Sequence, residues 1–280
     1  MLAHRSISVL LVIFTVTTVQ ALPASAHGTM DVQVEALSRA IDLAPAHADP
    51  YVQRGDLYLH HDEWQQALDD YRRASALDPA IANLEVQRAK AYHGLGQNDA
   101  ALALLDQAIA TDPDSLDARL TRARVRRAIG DVRGSANDYE ATLSLVPTRS
   151  PDLVIECADT CMQAADDGGV RALAVLDHAI EQLGPLATLE TAAIHIELQR
   201  NDLPAALRRI DAMIAANGSN PRWLCRKAEI LVRAGRRPEA IEVCRTVVSA
   251  IDGLPHARRR TRSMRTLRER VVEIIQRPDE

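Results

Sequence analysis

The chain has 280 residues, with 33 lysines and arginines against 38 aspartates and glutamates and a formal net charge of -5. That mild acidity gives no global attraction for nucleic acid. Only 3% of the residues are aromatic, which argues against a reader of glycans or single-stranded RNA, since those need spare stacking platforms.

The first segment has the layout of a targeting signal. Arg5 precedes the apolar run "SISVLLVIFTVTTVQAL", and Pro23 comes before the small-x-small site Ala24-Ser25-Ala26. The run is short for a membrane span and is diluted by threonines. It reads as a cleaved secretory signal over residues 1–26 rather than an uncleaved anchor, with His27 as the mature N-terminus. No later stretch is apolar enough to cross a membrane. The expected location is therefore periplasmic, or secreted, depending on the host envelope.

From residue 31 onward the chain repeats itself. Ala67, Ala101, Ser135, Ala172, Ala206 and Ala240 fall at intervals of 34, 34, 37, 34 and 34. Tyr71, Leu105, Tyr139, Leu176, Ile210 and Cys244 follow four residues later, and Ala74, Ala108, Thr142, Ala179, Met213 and Val247 three after that. An i, i+4, i+7 stripe is one face of a helix, so the same buried face recurs. Twelve residues before four of these small positions stand Gly55, Ala89, Ala123 and Ala228, which predicts a close-packed partner helix. Short turns such as "GLGQND" and "AIGDVRG" join the two, and Pro45, Pro79, Pro113 and Pro147 close successive units.

The unit "PYVQRGDLYLHHDEWQQALDDYRRASALDP" carries Tyr51, Gly55, Tyr58, Trp64, Ala67, Tyr71, Ala74 and Pro79 in a pattern that resembles the tetratricopeptide repeat family. The resemblance runs over about residues 31–252 and implies an all-α, right-handed α-solenoid of about six helix-turn-helix repeats. A half repeat at 31–46 precedes full repeats at about 48–81, 82–115, 116–149, 150–185, 187–220 and 221–253. The fourth has three extra residues near "QAADDGGV". The Arg-rich segment 254–280 reads as a capping helix, with Met264, Leu267, Val271 and Ile274 on one side.

The resemblance also implies a concave, peptide-binding face built by the first helix of each repeat. Its positions are Asp49, Val52, Asp56 and His60; Asn83, Val86, Lys90 and His93; Asp117, Leu120, Arg124 and Arg127; then His195, Cys225 and Glu229. The weighed alternative is that each is an ordinary solvated helix residue. Val52 and Asp56 stand where a carboxylate clamp would need Lys and Asn, so that variant is disfavoured. The arginine runs at 119–133 and 258–270 read either as docking surfaces for an acidic partner or anionic lipid heads, or as solvated faces.

Cys157 and Cys161, four apart, are badly placed for a disulfide, and Cys225 with Cys244 is the less strained pair; buried thiols are the better reading of all four. No metal site is expected, the remote exception being copper at an N-terminal His27. No catalytic motif, phosphate loop or cofactor signature is present in the sequence. These features together describe a non-enzymatic scaffold without cofactors that binds a protein or peptide in the cell envelope. The alternative is a structural subunit that self-associates, or joins a membrane complex, through its C-terminal helix or convex face.

Overall fold

A computed structural model describes residues 26–145, 150–164 and 167–276. The expected signal segment lies outside the described residues, apart from Ala26. The chain forms two compact units, one up to Ile81 and one from Ala82 onward. The first contains α1 (Ala26–Leu43), α2 (Asp49–His60) and α3 (Trp64–Leu77). The second contains α4 (Leu84–Gly94), α5 (Asn98–Thr111), α6 (Leu116–Ala128), α7 (Val132–Leu145), α8 (Pro151–Gln163) and α9 (Gly168–Leu183). It continues with α10 (Ala187–Gln199), α11 (Leu203–Asn217), α12 (Pro221–Arg233), α13 (Arg237–Asp252), the short α14 (His256–Arg259) and α15 (Arg262–Gln276).

The helices pair as the period predicts, a first helix with a second: α2 with α3, α4 with α5, and so on to α12 with α13. The small positions Ala67, Ala101, Ser135, Ala172, Ala206 and Ala240 are all fully buried. At the α2–α3 crossing a methyl on Gly55 would stand 2.7 Å from the buried Tyr71 ring, so glycine is what lets those helices touch. In the α6–α7 pair Ser135 Oγ donates to the Ala123 carbonyl at 2.7 Å, satisfying a buried hydroxyl across the crossing. Within the second unit, apolar clusters follow one another along the chain, each sharing a helix with the next. Stacked pairs thus bury together what one pair would leave wet, the packing logic of an α-solenoid.

In five of the pairs the turn between first and second helix is the same piece of backbone. Asp62, Gly96, Gly130, Asn201 and Gly235 take the left-handed conformation, with φ between 60 and 86°. The next residue's N–H then reaches back to a carbonyl near the helix end: Gln97 to Tyr92 and Asp131 to Arg126 at 2.9 Å, Asp202 to Glu197 at 2.8 Å. This is the Schellman closure, which satisfies orphan carbonyls and aims the second helix. Asp62 and Asn201 fill the position without glycine, as their short polar side chains permit.

The C-terminal segment departs from the single capping helix expected for it. Thr261 breaks it: its hydroxyl donates to the Arg258 carbonyl at 2.9 Å and accepts from the Met264 N–H at 3.4 Å, ending α14 and opening α15.

Ion pairs lock the pairs together. Arg122, on α6, grips Asp138 on α7 with two bonds of 2.6 and 2.9 Å and Asp106 on α5 with a third of 2.7 Å; Arg126 adds another to Asp138 at 2.9 Å. Two periods earlier, Arg54 makes the same fork on Asp70 and reaches Ser38 Oγ at 2.8 Å. In α10–α11 the polarity reverses, and Arg209 of the second helix gathers Asp177, Glu190 and Glu197. The side chain of Asp138 is 5% exposed, so removing it takes the shared buried acceptor from two guanidinium groups and leaves them only the more exposed carboxylates of Asp106 and Asp131. Asp138→Ala should lower the stability of the second unit by about 3 kcal/mol, read as a downward shift of the urea midpoint followed by circular dichroism.

Candidate functional site

In the first unit, Asp49 opens α2, where its charge suits the helix N-terminus, and it is exposed. Asp56 accepts a 2.7 Å bond from the Tyr71 hydroxyl. His60 ends the helix, exposed, its ring 5.4 Å from that of His61 and edge-on to it.

In the second unit the predicted residues separate into those brought together and those left alone. Asn83 is not on a helix; it precedes α4 at φ 62°, exposed, with no capping bond from its side chain. Lys90 Nζ bonds Asp117 Oδ2 at 2.8 Å, linking α4 to α6. His93 is half-buried, with Nδ1 2.7 Å from Asn98 Oδ1 across the α4–α5 turn. His195 lies on α10, exposed, near only Gln199 at 3.0 Å. Glu229, on α12, meets Arg226 at 3.2 Å and Arg270 of α15 at 3.7 Å.

Two positions carried over from the family pattern are corrected by burial. Val86 is 1% exposed and belongs to the core with Ala89, Leu105 and Val125. Cys225 is 2% exposed among Leu224, Ala228 and Val271. Leu120 packs against the core around Tyr139. Val86 and Cys225 cannot present a side chain to a ligand, whereas Leu120 stays half-exposed.

Two of the predicted residues converge on Glu156 of α8. Arg124 reaches its Oε2 at 3.2 Å, Arg127 its Oε1 at 3.0 Å, and the Tyr139 hydroxyl donates to Oε1 at 2.7 Å. Two cations share one carboxylate, leaving an excess positive charge on α6. Sequence reading selected the two arginines but missed Glu156 and Tyr139. The signal was there: Glu156 lies 32 residues after Arg124, about one repeat on, where a first helix faces the preceding one. Five of the six arginines in the run are thus engaged, Arg133 staying exposed. Arg122 and Arg126 are taken by Asp138, Arg124 and Arg127 by Glu156, and Arg119 donates to the Pro113 carbonyl.

Nothing in this arrangement pairs a nucleophile with a base. The four cysteines are free and buried; burial pushes the Cys225 and Cys244 thiols up to about 11, so they stay protonated at neutral pH. Among the described residues no group of three or more His, Cys, Asp or Glu is disposed to hold a metal ion. An apolar cleft of about 320 Å³ lies beside α9, walled by Leu143, Val154, Val175 and Ala179 with the Arg171–Glu140 ion pair in its lining.

Burial disfavours the charge on Glu156, but the hydrogen bonds from Arg124 and Tyr139 and the charges of both arginines outweigh it. Its carboxyl titrates below the ordinary glutamate range. A depressed carboxylate contributes stability that is present above its unfolded value and is lost as pH falls through the folded one. Glu197 runs the opposite way, raised because burial exceeds the help from Arg209. Glu156→Gln should therefore flatten the acid limb of the stability profile, losing less than the parent between about pH 5 and pH 3 in urea titrations. The background from Glu197 is common to both proteins.

Residues 82–125 and 191–255 each match a family model described as Tetratricopeptide repeat. No curated protein matches the chain. Among solved structures, the C-terminal part of a TPR repeat-containing protein from Cytophaga hutchinsonii superposes with a TM-score of 0.62 at 15% identity, over 81% of this chain and 95% of that one. Yeast Tom70 does so with a TM-score of 0.50 at 14% identity, over 84% of this chain and 48% of its own, so this chain spans about half its length. A tetratricopeptide repeat protein from Parabacteroides merdae gives 0.49 at 14%, over 88% and 93%. The first two likenesses show the fold and nothing about ligands. The two family-model matches, with the 34-residue register and the recurring helix-turn-helix geometry, show that this chain carries tetratricopeptide repeats.

Proposed function

We propose that the chain is a non-catalytic scaffold of the cell envelope that binds a protein or peptide segment along the first helices of its repeats. The tetratricopeptide repeats support the broad reading, since proteins that carry them are in general non-catalytic interaction scaffolds. The observation that carries the finer one is the fixation of Lys90, Arg124 and Arg127 on α4 and α6 by Asp117 and Glu156. Three cations against two carboxylates leave a positive excess on side chains that are already ordered. An acidic segment arriving there meets donors in place, with little rotamer entropy left to lose. Such charges set partner choice and on-rate more than raw affinity.

Replacing Lys90, Arg124 and Arg127 together with alanine should weaken partner binding by about tenfold or more and reduce its salt dependence. The test is affinity capture from the host's envelope at low and high salt, followed by titration of the retained partner against parent and variant, with helicity checked. Unchanged affinity in a folded variant would move the binding surface off these helices.

The envelope location rests on Arg5, the apolar run after it and the Ala24-Ser25-Ala26 site. No helix among the described residues is long and apolar enough to cross a membrane. N-terminal sequencing of the protein recovered from its host should begin at His27; a protein starting at Met1 would defeat the export reading.

A further inference from the structure

Both ends of the described chain stop in the middle of a repeat. Helix α1 packs on α2 as a second helix packs on the first helix of the following pair, and among the described residues no first helix covers its other side. In α3, Ala67, Leu68, Asp70 and Tyr71 are buried by such a partner. One period earlier on α1, Gln33, Val34, Ala36 and Leu37 are exposed or half-exposed. Val32 and Leu43 on the same helix are 65% and 87% exposed. At the other end α15 packs on α13 and α12 as α6 packs on α5 and α4, so it sits as a first helix. Its apolar side, Met264, Leu267, Val271 and Ile274, is already used against that core. Its outer side is arginine.

The two ends are opposite in charge. Residues 26–81 hold ten carboxylates against four arginines, whereas residues 254–276 hold seven arginines against two glutamates. Most arginines of the repeats are tied into ion pairs, but Arg258, Arg259, Arg260, Arg262 and Arg265 meet no carboxylate among the described residues. On α1, Asp31 and Asp42 are exposed and likewise unpaired. A cluster of unpaired arginines repels itself, and an acidic helix with bare apolar side chains beside it is the complementary surface.

We infer that the protein associates with itself head to tail, the basic α14–α15 face of one copy docking on the acidic, half-covered α1 of another. The contact is heterologous, using two different surfaces, so each copy keeps one of each free for a further copy. Unlike contacts on the first helices, it needs no other protein, so it stands or falls apart from the groove reading.

The test uses the full chain as purified from its host and two charge-reversal variants at exposed positions. One carries Asp31→Lys, Glu35→Lys and Asp42→Lys; the other Arg259→Glu, Arg262→Glu and Arg265→Glu. Circular dichroism checks that both fold. Sedimentation velocity at about 50 mM salt should show concentration-dependent association of the parent that fades by about 500 mM, where charges are screened within a few ångströms. Each variant alone should sediment as a monomer, and mixing the two should restore a complex, because the reversed ends again complement each other. A parent that stays monomeric at every concentration and salt overturns the inference. So does association that survives either reversal, which would place the contact on another surface or on residues 1–25, and so does a mixture that fails to associate. A parent that stays monomeric yet binds anionic vesicles through the three arginines would identify a lipid-facing patch and equally overturn it.

Discussion

A helix of twelve to sixteen residues with one apolar stripe cannot bury that stripe by itself, and here a single pair of such helices cannot either. Each pair closes its own crossing with a small residue and leaves a second face open for the next pair. Everything else follows from meeting that demand in the same way each time. The left-handed residue at the turn aims the second helix, the small residue sets the distance, and large side chains such as Tyr71, Tyr139 and Leu176 fill the space left. Each such side chain, fully buried, contributes on the order of 1.5–3 kcal/mol, and that gain is realised only when the neighbouring pair is in place.

Polar groups are recruited to the same task. Arg54 and Arg122 occupy equivalent places two periods apart and make equivalent forks on Asp70 and Asp138. The repeat between them keeps the arginine, Arg88, but has Leu104 where the aspartate would be, and Arg88 Nε is buried without a partner. The fork thus serves the first and third repeats, and its absence in the second leaves a local weakness at Arg88. Glu197 is another such place: Arg209 holds one of its oxygens while the other is buried without a bond. A buried, half-satisfied carboxylate costs stability at neutral pH, consistent with its raised titration.

Neighbouring arginines on one helix differ in how completely their charge is balanced. Arginines committed to Asp138 are structural and unavailable, whereas those shared on Glu156 keep a surplus charge in a fixed place. Neutralised and surplus charge divide along that line within a single run of sequence. The run 119–133 reads as one patch of six arginines, yet its members do at least three different things.

The sequence by itself determined the architecture. A period of 34 with small and large residues at fixed offsets encodes which helix face is buried, and burial of that face is the dominant free-energy term. Turn residues at Gly96, Gly130 and Gly235 were legible for the same local reason, that glycine takes positive φ without strain. Only the tertiary structure decided the fate of the charged and marginal positions. Lys90 pairs with a residue 27 positions away and Arg124 with one 32 away, across helices whose facing is set by packing rather than by their own sequence. Val86 and Cys225 sit at nominal groove positions yet are buried, because helix rotation of a few tens of degrees moves a residue from the rim into the core. A charge on a helix surface reads as solvated until the neighbouring helix is in place, and here the neighbour supplied Asp138, Glu156 and Asp117.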